Sequence, residues 1–265
     1  MDTFEFYGYL AALFVGVVLG LIGSGGSILT VPIIVYLFLL NPITATAYSL
    51  FVVGVTAFWG AIRNIQKGMI DYRVGIAFAI PSFIAIYITR KYLLPAIPDK
   101  LFLAGDFLFT KNAALMVFFA VVMLIAALYM IKDKKIGNEE NSNIQYNYLS
   151  LSLQGFIIGV LTGILGVGGG FLIIPALVLW TGLPMKKAVG TTLLIIAVKS
   201  LIGFLGDIEN LTIDWVFLLS FTSISVIGIF LGIYLSNFID GKKLKKSFGW
   251  FVLIMGIYIL IIEVS

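Results

Sequence analysis

The residue with the most unusual chemical setting in this sequence is Lys199, which lies inside the long apolar stretch 188–205. If that stretch crosses a lipid bilayer, a lysine near its middle costs roughly 2.5 to 3.5 kcal/mol, so the ammonium needs compensation. On a helix, Lys199 shares a face with Thr192 and Gly203. This face predicts an ammonium that points into a central cavity, where it attracts an anion or alternates between protonated and neutral forms. The structural alternative is a lysine that snorkels to water.

Two glycine clusters are the second chemical feature. Each interrupts an apolar run and precedes a segment of about 12 to 14 residues, which spans only about 20 Å as a helix. Unwound backbone at membrane depth, together with the positive end of the following helix, forms a site for an anion. The alternative is that the glycines only allow close helix packing. The clusters consist of Gly23, Ser24, Gly25, Gly26 and Ser27 in the first half, and of Gly166, Gly168, Gly169 and Gly170 in the second.

Hydroxyl and carboxyl side chains near these segments have two possible roles each. Thr191 and Thr192 are predicted to line the same cavity as Lys199, although hydroxyls in membrane helices often bond only to their own backbone. We include both in the predicted substrate-binding set with Lys199 and the two clusters. Asp71 and Asp214 stand at equivalent helix starts, where capping of the helix N-terminus is the favoured role.

Most other active-site chemistry is missing from the sequence. It contains no histidine and no cysteine, which removes disulfides, thiolate catalysis, imidazole acid–base chemistry and the usual soft metal ligands. We therefore predict that the chain is not an enzyme, and we predict no metal and no cofactor. The net charge of +4 requires no nucleic-acid partner.

The elements that must position these residues are membrane helices. The 265 residues are 61% hydrophobic and 11% charged, whereas soluble domains average roughly 25% charged residues. Apolar stretches near membrane-crossing length recur along the chain, and they are continuously apolar rather than alternating as barrel strands are. The fold class is therefore predicted as an all-α polytopic membrane protein. Its apolar segments are predicted at 6–23, 27–40, 43–62, 72–94, 107–131, 148–166, 170–181, 185–205, 212–236 and 246–263.

The two halves of the chain are predicted to be repeats of about five helical segments each. Five glycines and a proline of the stretch 16–32 recur at one fixed offset in the stretch 159–175. Two further pairs, Ser49 with Thr191 and Asp71 with Asp214, extend the match. The predicted organisation is a first transmembrane repeat at 1–131, a polar cytoplasmic linker at 132–147 and a second transmembrane repeat at 148–265.

Loop charge predicts that the two repeats are inverted. The loop after the third segment carries Arg63, Lys67 and Arg73 in the first half, but Asp207 and Glu209 in the second. Basic loops face the cytoplasm, so these equivalent loops are expected on opposite faces. Both termini are then external, and the start of the chain is expected to be a retained helix, since it lacks the cationic region of a cleaved signal. Inverted repeats with broken or re-entrant helices are typical of secondary transporters.

The motifs resemble those of the TauE/SafE sulfite exporter family of membrane transporters. The resemblance rests on the duplicated GxxGxGG motif followed by a proline, on the segment AVGTT at 188–192 and on the step Ile213-Asp214-Trp215. It implies transport of small sulfur-containing anions such as sulfite, thiosulfate or sulfoacetate across the cytoplasmic membrane, in the direction of export. The first half departs from the pattern with Tyr48 where the second has Gly190, and with Ser27 where the second has Gly170.

Other functions remain open at this stage. A passive anion channel can use the same glycine loops and lysine, and a carrier can transport a non-sulfur organic anion. A membrane-embedded enzyme lacks the required set of nucleophile, acid–base or metal ligands. The expected partners are the small anionic substrate and the lipid bilayer; a monomer and a homo-oligomer fit the sequence equally well.

Overall fold

The computed structural model of the chain describes residues 3–23, 26–98, 100–104, 107–132, 148–165, 168–181, 183–236, 238–239 and 241–264. These ranges are overwhelmingly helical. The helices are α1 Thr3–Ile22, α2 Gly26–Leu37, α3 Pro42–Gln66, α4 Tyr72–Ile88, α5 Leu94–Ala96, α6 Lys111–Ile131, α7 Tyr148–Leu165, α8 Gly170–Trp180, α9 Met185–Leu205, α10 Trp215–Leu235 and α11 Gly241–Val264, with a π-helical turn at Thr89–Leu93 between α4 and α5. The all-α polytopic membrane fold is confirmed, and most predicted segment bounds lie near the helix ends, although α11 begins at Gly241 rather than at the predicted 246.

The helix starts follow from local sequence. Asn41 accepts a hydrogen bond from the Ile43 N–H at 2.9 Å and precedes Pro42, so it caps α3. Asp71 accepts from the Val74 N–H and Asp214 from the Phe217 N–H, both at 3.1 Å. A side-chain acceptor at this position satisfies one of the N–H groups that a helix leaves without an internal partner. The capping interpretation of both aspartates is therefore confirmed.

Length and composition identify membrane-spanning helices. Among the described residues, five helices are long and apolar enough to cross a bilayer: Pro42–Gln66, Tyr72–Ala96, Tyr148–Leu165, Lys186–Leu205 and Trp215–Leu235. On α4, the four isoleucines Ile76, Ile80, Ile84 and Ile88 are spaced four apart and each is about half exposed. A continuous apolar stripe on the outer surface fits contact with lipid rather than with water.

Helix packing follows the internal repeat. In the sequence match, α1 corresponds to α7 and α4 corresponds to α10. Helix α1 packs on α10, and in the same way α7 packs on α4. Helix α3 packs on its own counterpart α9, and α6 packs on its counterpart α11. Gly203 of α9 lies against Leu50 and Gly190 lies against Asn64, so α3 and α9 run antiparallel. An antiparallel contact between equivalent helices is what inverted copies would give, and the orientation of the two halves in the membrane stays a prediction.

The first glycines of each motif serve packing. A Cβ on Gly16 or Gly20 of α1 would collide with backbone carbonyls of Ser225 or Ile229 on α10. A Cβ on Gly159 of α7 would lie 2.7 Å from the Ser82 carbonyl oxygen on α4. These positions follow the small-xxx-small rule, in which missing side chains allow two backbones to approach.

The last glycines of each motif break the helices. Helix α1 ends at Ile22 and α2 begins at Gly26, while α7 ends at Leu165 and α8 begins at Gly170. Gly23 and Gly169 have φ values of +76° and +73°, a left-handed conformation that glycine adopts without strain. Helices α2 and α8 have only 12 and 11 residues, which gives lengths of about 16 to 18 Å.

The segment predicted at 107–131 differs from its prediction in the type of secondary structure at its start. The apolar segment predicted at 107–131 begins with a strand, because Phe107–Thr110 pairs antiparallel with Lys100–Ala104 in a short hairpin. Helix α6 starts only at Lys111, where the Thr110 hydroxyl accepts a hydrogen bond from the Ala113 N–H at 3.2 Å. Aromatic and branched residues in the strand favour either structure, so hydropathy alone did not locate this boundary. Most of the predicted linker, at 133–147, lies outside the described residues.

Candidate anion-binding site

Lys199 lies on α9 and is fully buried. Its Nζ donates a hydrogen bond to the Thr162 Oγ1 on α7 at 2.9 Å. The Thr162 hydroxyl itself donates to the Ile158 carbonyl at 2.7 Å, so its oxygen is correctly placed to accept from the ammonium. With no exposed surface, Lys199 does not reach outward, and the snorkelling alternative does not describe this structure.

Gly169 brings the start of α8 against the same ammonium. It is the residue that precedes the first turn of α8, and a Cβ added to it would lie 2.7 Å from Lys199 Nζ and collide with the Thr162 side chain. The left-handed backbone and this lack of space both require glycine here. Because the first N–H groups of a helix lack internal partners and carry its positive dipole end, two sources of positive potential converge at this point.

The Ser200 hydroxyl lies beside the same glycine cluster. A Cβ on Gly168 would lie 3.2 Å from Ser200 Oγ, so Ser200 lies beside the second glycine of the cluster. Ser200 is fully buried, and its Oγ has no hydrogen-bond partner among the described residues. Buried hydroxyls normally find a partner, and an anion that accepts a hydrogen bond would supply one.

No described carboxylate neutralises Lys199. The ion pairs within the described ranges join Arg90 to Asp207 and Lys91 to Glu209. A buried cation without a counter-charge is costly in a medium of low dielectric constant. The arrangement of Lys199, Thr162, Gly169 and Ser200 is therefore suited to binding a small anion.

The other predicted site residues lie elsewhere on the described chain. Thr191 and Thr192 lie about two helical turns before Lys199 on α9. The Thr191 hydroxyl accepts a hydrogen bond from the Asp71 N–H at 2.9 Å, which ties α9 to the start of α4, whereas Thr192 Oγ1 is buried without a hydrogen-bond partner within these ranges. Gly170 is the first residue of α8.

The first-half cluster has different surroundings. A Cβ on Gly23 would collide with the Val189 side chain, and one on Gly26 would collide with the Val15 carbonyl and lie 2.8 Å from Leu19 Cβ. These contacts are apolar or with backbone, as the packing alternative proposed. Ser24, Gly25, Gly166 and the side chain of Ser27 lie outside the described residues, so their predicted role stays a prediction.

Comparison with known proteins agrees with the resemblance seen in the motifs. The family model described as "Sulfite exporter TauE/SafE" matches residues 8–259. This chain belongs to the TauE/SafE family. The family consists of membrane transporters, and membership makes this chain a membrane transporter.

Individual relatives carry names of the same kind. A "Probable membrane transporter protein" of Xylella fastidiosa strain 9a5c is 27% identical over 251 residues, which cover 93% of this chain and 91% of the relative. The "Probable membrane transporter protein YdhB" of Bacillus subtilis is 26% identical over 255 residues, which cover 95% and 98%. A probable membrane transporter protein of Methanocaldococcus jannaschii is 37% identical over 114 residues, 41% of this chain and 43% of the relative. No solved structure matches the chain.

Sequence reasoning missed two features of this TauE/SafE protein. Thr162 did not stand out as the partner of Lys199, although a hydroxyl just before a helix break was a usable signal. The sequence also did not indicate that Arg90 pairs with Asp207, and the two form a buried ion pair with 3.4 Å between Arg90 Nε and Asp207 Oδ2. Burial raises the pKa of Asp207 to about 6, and Arg90 acts in the opposite direction.

Proposed function

We propose that this transporter exports small sulfur-containing anions, such as sulfite, thiosulfate or sulfoacetate, across the cytoplasmic membrane. The observation that carries the proposal is the fully buried Lys199 side chain beside the N-terminus of α8, without a described carboxylate as partner. The description of the family as sulfite exporters supports the class of substrate and the direction. That the chain has no catalytic activity stays a prediction.

The geometry suggests how the anion is held. Lys199 Nζ uses one of its three donors on Thr162, which leaves donors for an anionic oxygen. Charge-assisted hydrogen bonds of this kind are about twice as strong as neutral ones. Ser200 Oγ and the first N–H groups of α8 are further donors close to Gly168 and Gly169. An anion with several acceptor oxygens satisfies more of these groups than a halide does.

A binding and flux experiment on the purified chain tests this proposal. Sulfite, thiosulfate and sulfoacetate should raise the melting temperature in proportion to the logarithm of concentration, whereas sulfate, taurine and acetate serve as comparison ligands. In proteoliposomes, unlabelled sulfite inside should accelerate uptake of labelled sulfite, because a carrier exchanges its substrate. Stabilisation by acetate alone would point to a non-sulfur organic anion, and ionic current without exchange would point to a channel.

The proposed orientation places both termini outside the cell. It is tested by single cysteines, because the natural chain contains none. Lys67 and Asn210 lie on exposed turns in equivalent loops of the two halves. A membrane-impermeant thiol reagent applied to intact cells should label Asn210→Cys and not Lys67→Cys. Labelling of both variants from one side would refute the inverted orientation.

A further inference from the structure

A second buried cation lies at the end of α4. Arg90 belongs to the π-helical turn Thr89–Leu93 and is fully buried. Its Nη1 donates a hydrogen bond to Thr46 Oγ1 of α3 at 3.1 Å, and its Nε lies 3.4 Å from Asp207 Oδ2 in the turn that follows α9. The cluster thus joins both halves of the chain. Short π-helical turns occur frequently at functional sites.

The ion pair in this cluster is incomplete. Within the described residues, Nε and Nη2 of Arg90 and Oδ2 of Asp207 have no hydrogen-bond partner. A guanidinium usually binds a carboxylate through two parallel hydrogen bonds, and Asp207 makes neither. Buried donors without acceptors are unfavourable. Two nitrogen atoms of Arg90 therefore make no hydrogen bond to the described residues and are available as donors to an oxyanion that takes the place of Asp207.

The cluster lies just beyond the end of the helix that carries Lys199. Gly203 follows Lys199 by four residues on the same face of α9, and Asp207 follows it by eight in the turn after the helix, about 12 Å along the helix axis. A Cβ on Gly203 would lie 2.7 Å from Ile86 Cδ1, and one on Gly206 would lie 3.1 Å from Arg90 Cβ. The side-chain ends of Ile86 and Leu50 thus fill the space above Gly203, between the two basic side chains.

We propose that Arg90 is a second oxyanion site, which the transported anion occupies by displacing the Asp207 carboxylate. This inference rests on the proposed anion transport. The ligand is a small oxyanion that offers two oxygens to the planar guanidinium, as sulfite, thiosulfate and sulfonates do. The displaced carboxylate of Asp207 loses its cation and takes up a proton from water, so that one proton accompanies one anion.

The surrounding charges set the direction of the pH dependence. The pKa of Asp207 is raised by burial to about 6, and removal of Arg90 as its partner raises the pKa further. The adjacent charged pair is Lys91 and Glu209, 3.2 Å apart and partly exposed. Helix α3 contributes the Thr46 hydroxyl to the cluster, and α7 contributes Gly163 against Thr89. Protonated Asp207 does not compete for Arg90, so oxyanions should bind more tightly below about pH 6.

Thiosulfate binding in a Lys199→Met background tests the second site without the first. Thiosulfate is a suitable probe because its charge does not change between about pH 5.5 and about 7.5. Dissociation constants are obtained from the dependence of the melting temperature on thiosulfate concentration for the full chain in detergent. At the higher pH, Lys199→Met/Asp207→Asn should bind at least about tenfold more tightly than Lys199→Met, since a competing charge is gone. The matched control is Lys199→Met/Glu209→Gln, which removes the neighbouring exposed acid and should match Lys199→Met within about twofold.

The possible results distinguish the Arg90 site from the Lys199 site. The Arg90 site is overturned if Lys199→Met and Lys199→Met/Asp207→Asn bind thiosulfate with equal affinity, or if thiosulfate does not stabilise Lys199→Met/Asp207→Asn. If the Asn variant does not fold, Lys199→Met alone decides, because its affinity should be at least about fivefold higher at the lower pH. An affinity that is the same at both pH values overturns the proposal. If wild-type protein binds thiosulfate no more tightly than Lys199→Met does, the Lys199 site is refuted. The comparison of Lys199→Met with Lys199→Met/Asp207→Asn still tests the Arg90 site in that case.

Discussion

Both halves of the chain interrupt a helix within the aligned glycine motif, but the left-handed residue is Gly23 in the first half and Gly169 in the second, and the surrounding side chains differ. In the second half, the residues that meet at the break are Thr162, Gly169 and Lys199. The aligned positions in the first half hold Leu19, Gly26 and Ala57, and Leu19 and Ala57 are fully buried in one hydrophobic cluster. Both halves thus contain a glycine break, whereas two side-chain differences give only the second half a lysine and its hydroxyl acceptor. Anion binding is therefore expected to be asymmetric.

The largest effect should come from adding one methyl group at each break. Gly169→Ala places a Cβ 2.7 Å from Lys199 Nζ in a left-handed residue, and should weaken anion affinity about 100-fold, or about 2.8 kcal/mol. Gly26→Ala should instead reduce the yield of folded protein, because its Cβ collides with the Val15 backbone. Anion titrations followed by melting temperature measure both. Equal loss of affinity in the folded fraction of the two variants would contradict the asymmetry.

An intermediate effect is expected at Thr162. Thr162→Val removes the described acceptor of the Lys199 ammonium, and should lower the free energy of unfolding by about 1.5 to 3 kcal/mol. In a Lys199→Met background, Thr162→Val should change the free energy of unfolding only slightly, because no charged group then loses its hydrogen-bond partner. Leu19→Val is the matched change in the first half, and its ordinary packing loss should be equal in both backgrounds. If Thr162→Val lowers the free energy of unfolding by the same amount in the Lys199→Met background as in wild type, Thr162 does not act as the partner of Lys199, and the proposed difference between the two breaks is contradicted.

The helix breaks were predictable because their determinants are local. Glycine spacing, proline and the short following segment all lie within about 20 residues of each break, and the duplication supplied an internal check. The partners of the charged residues were not predictable in this way. Thr162 is 37 residues from Lys199, and Asp207 is 117 residues from Arg90. Such pairs depend on which helix faces meet, and Arg90 gave no sign in the sequence that it lies inside rather than at the membrane surface.

The smallest effect concerns the loops that follow α3 and α9. The first carries exposed Lys67, after Arg63 in the last turn of α3, whereas the second carries buried Asp207. The folded-state pKa of Asp207 is raised from 3.8 to about 6, so folded protein binds this proton more tightly than unfolded protein does. Its stabilising contribution is complete below about pH 4 and is lost as pH rises through about 6. The melting temperature of wild type should fall over this window more than that of Asp207→Asn; identical profiles would contradict burial of an ionisable Asp207.

The most direct test of the asymmetric anion site is to measure stability and sulfite binding on the same sample of Lys199→Met. Methionine keeps the length and apolar stem of lysine and removes its charge, so the variant should melt at or above the wild-type temperature, since a membrane-buried charge costs about 2.5 kcal/mol or more. Its sulfite affinity should fall strongly, and Lys199→Arg, which keeps the charge, should retain part of it. A Lys199→Met protein that loses stability but binds sulfite as wild type does would show that the lysine serves architecture and would remove it from the site.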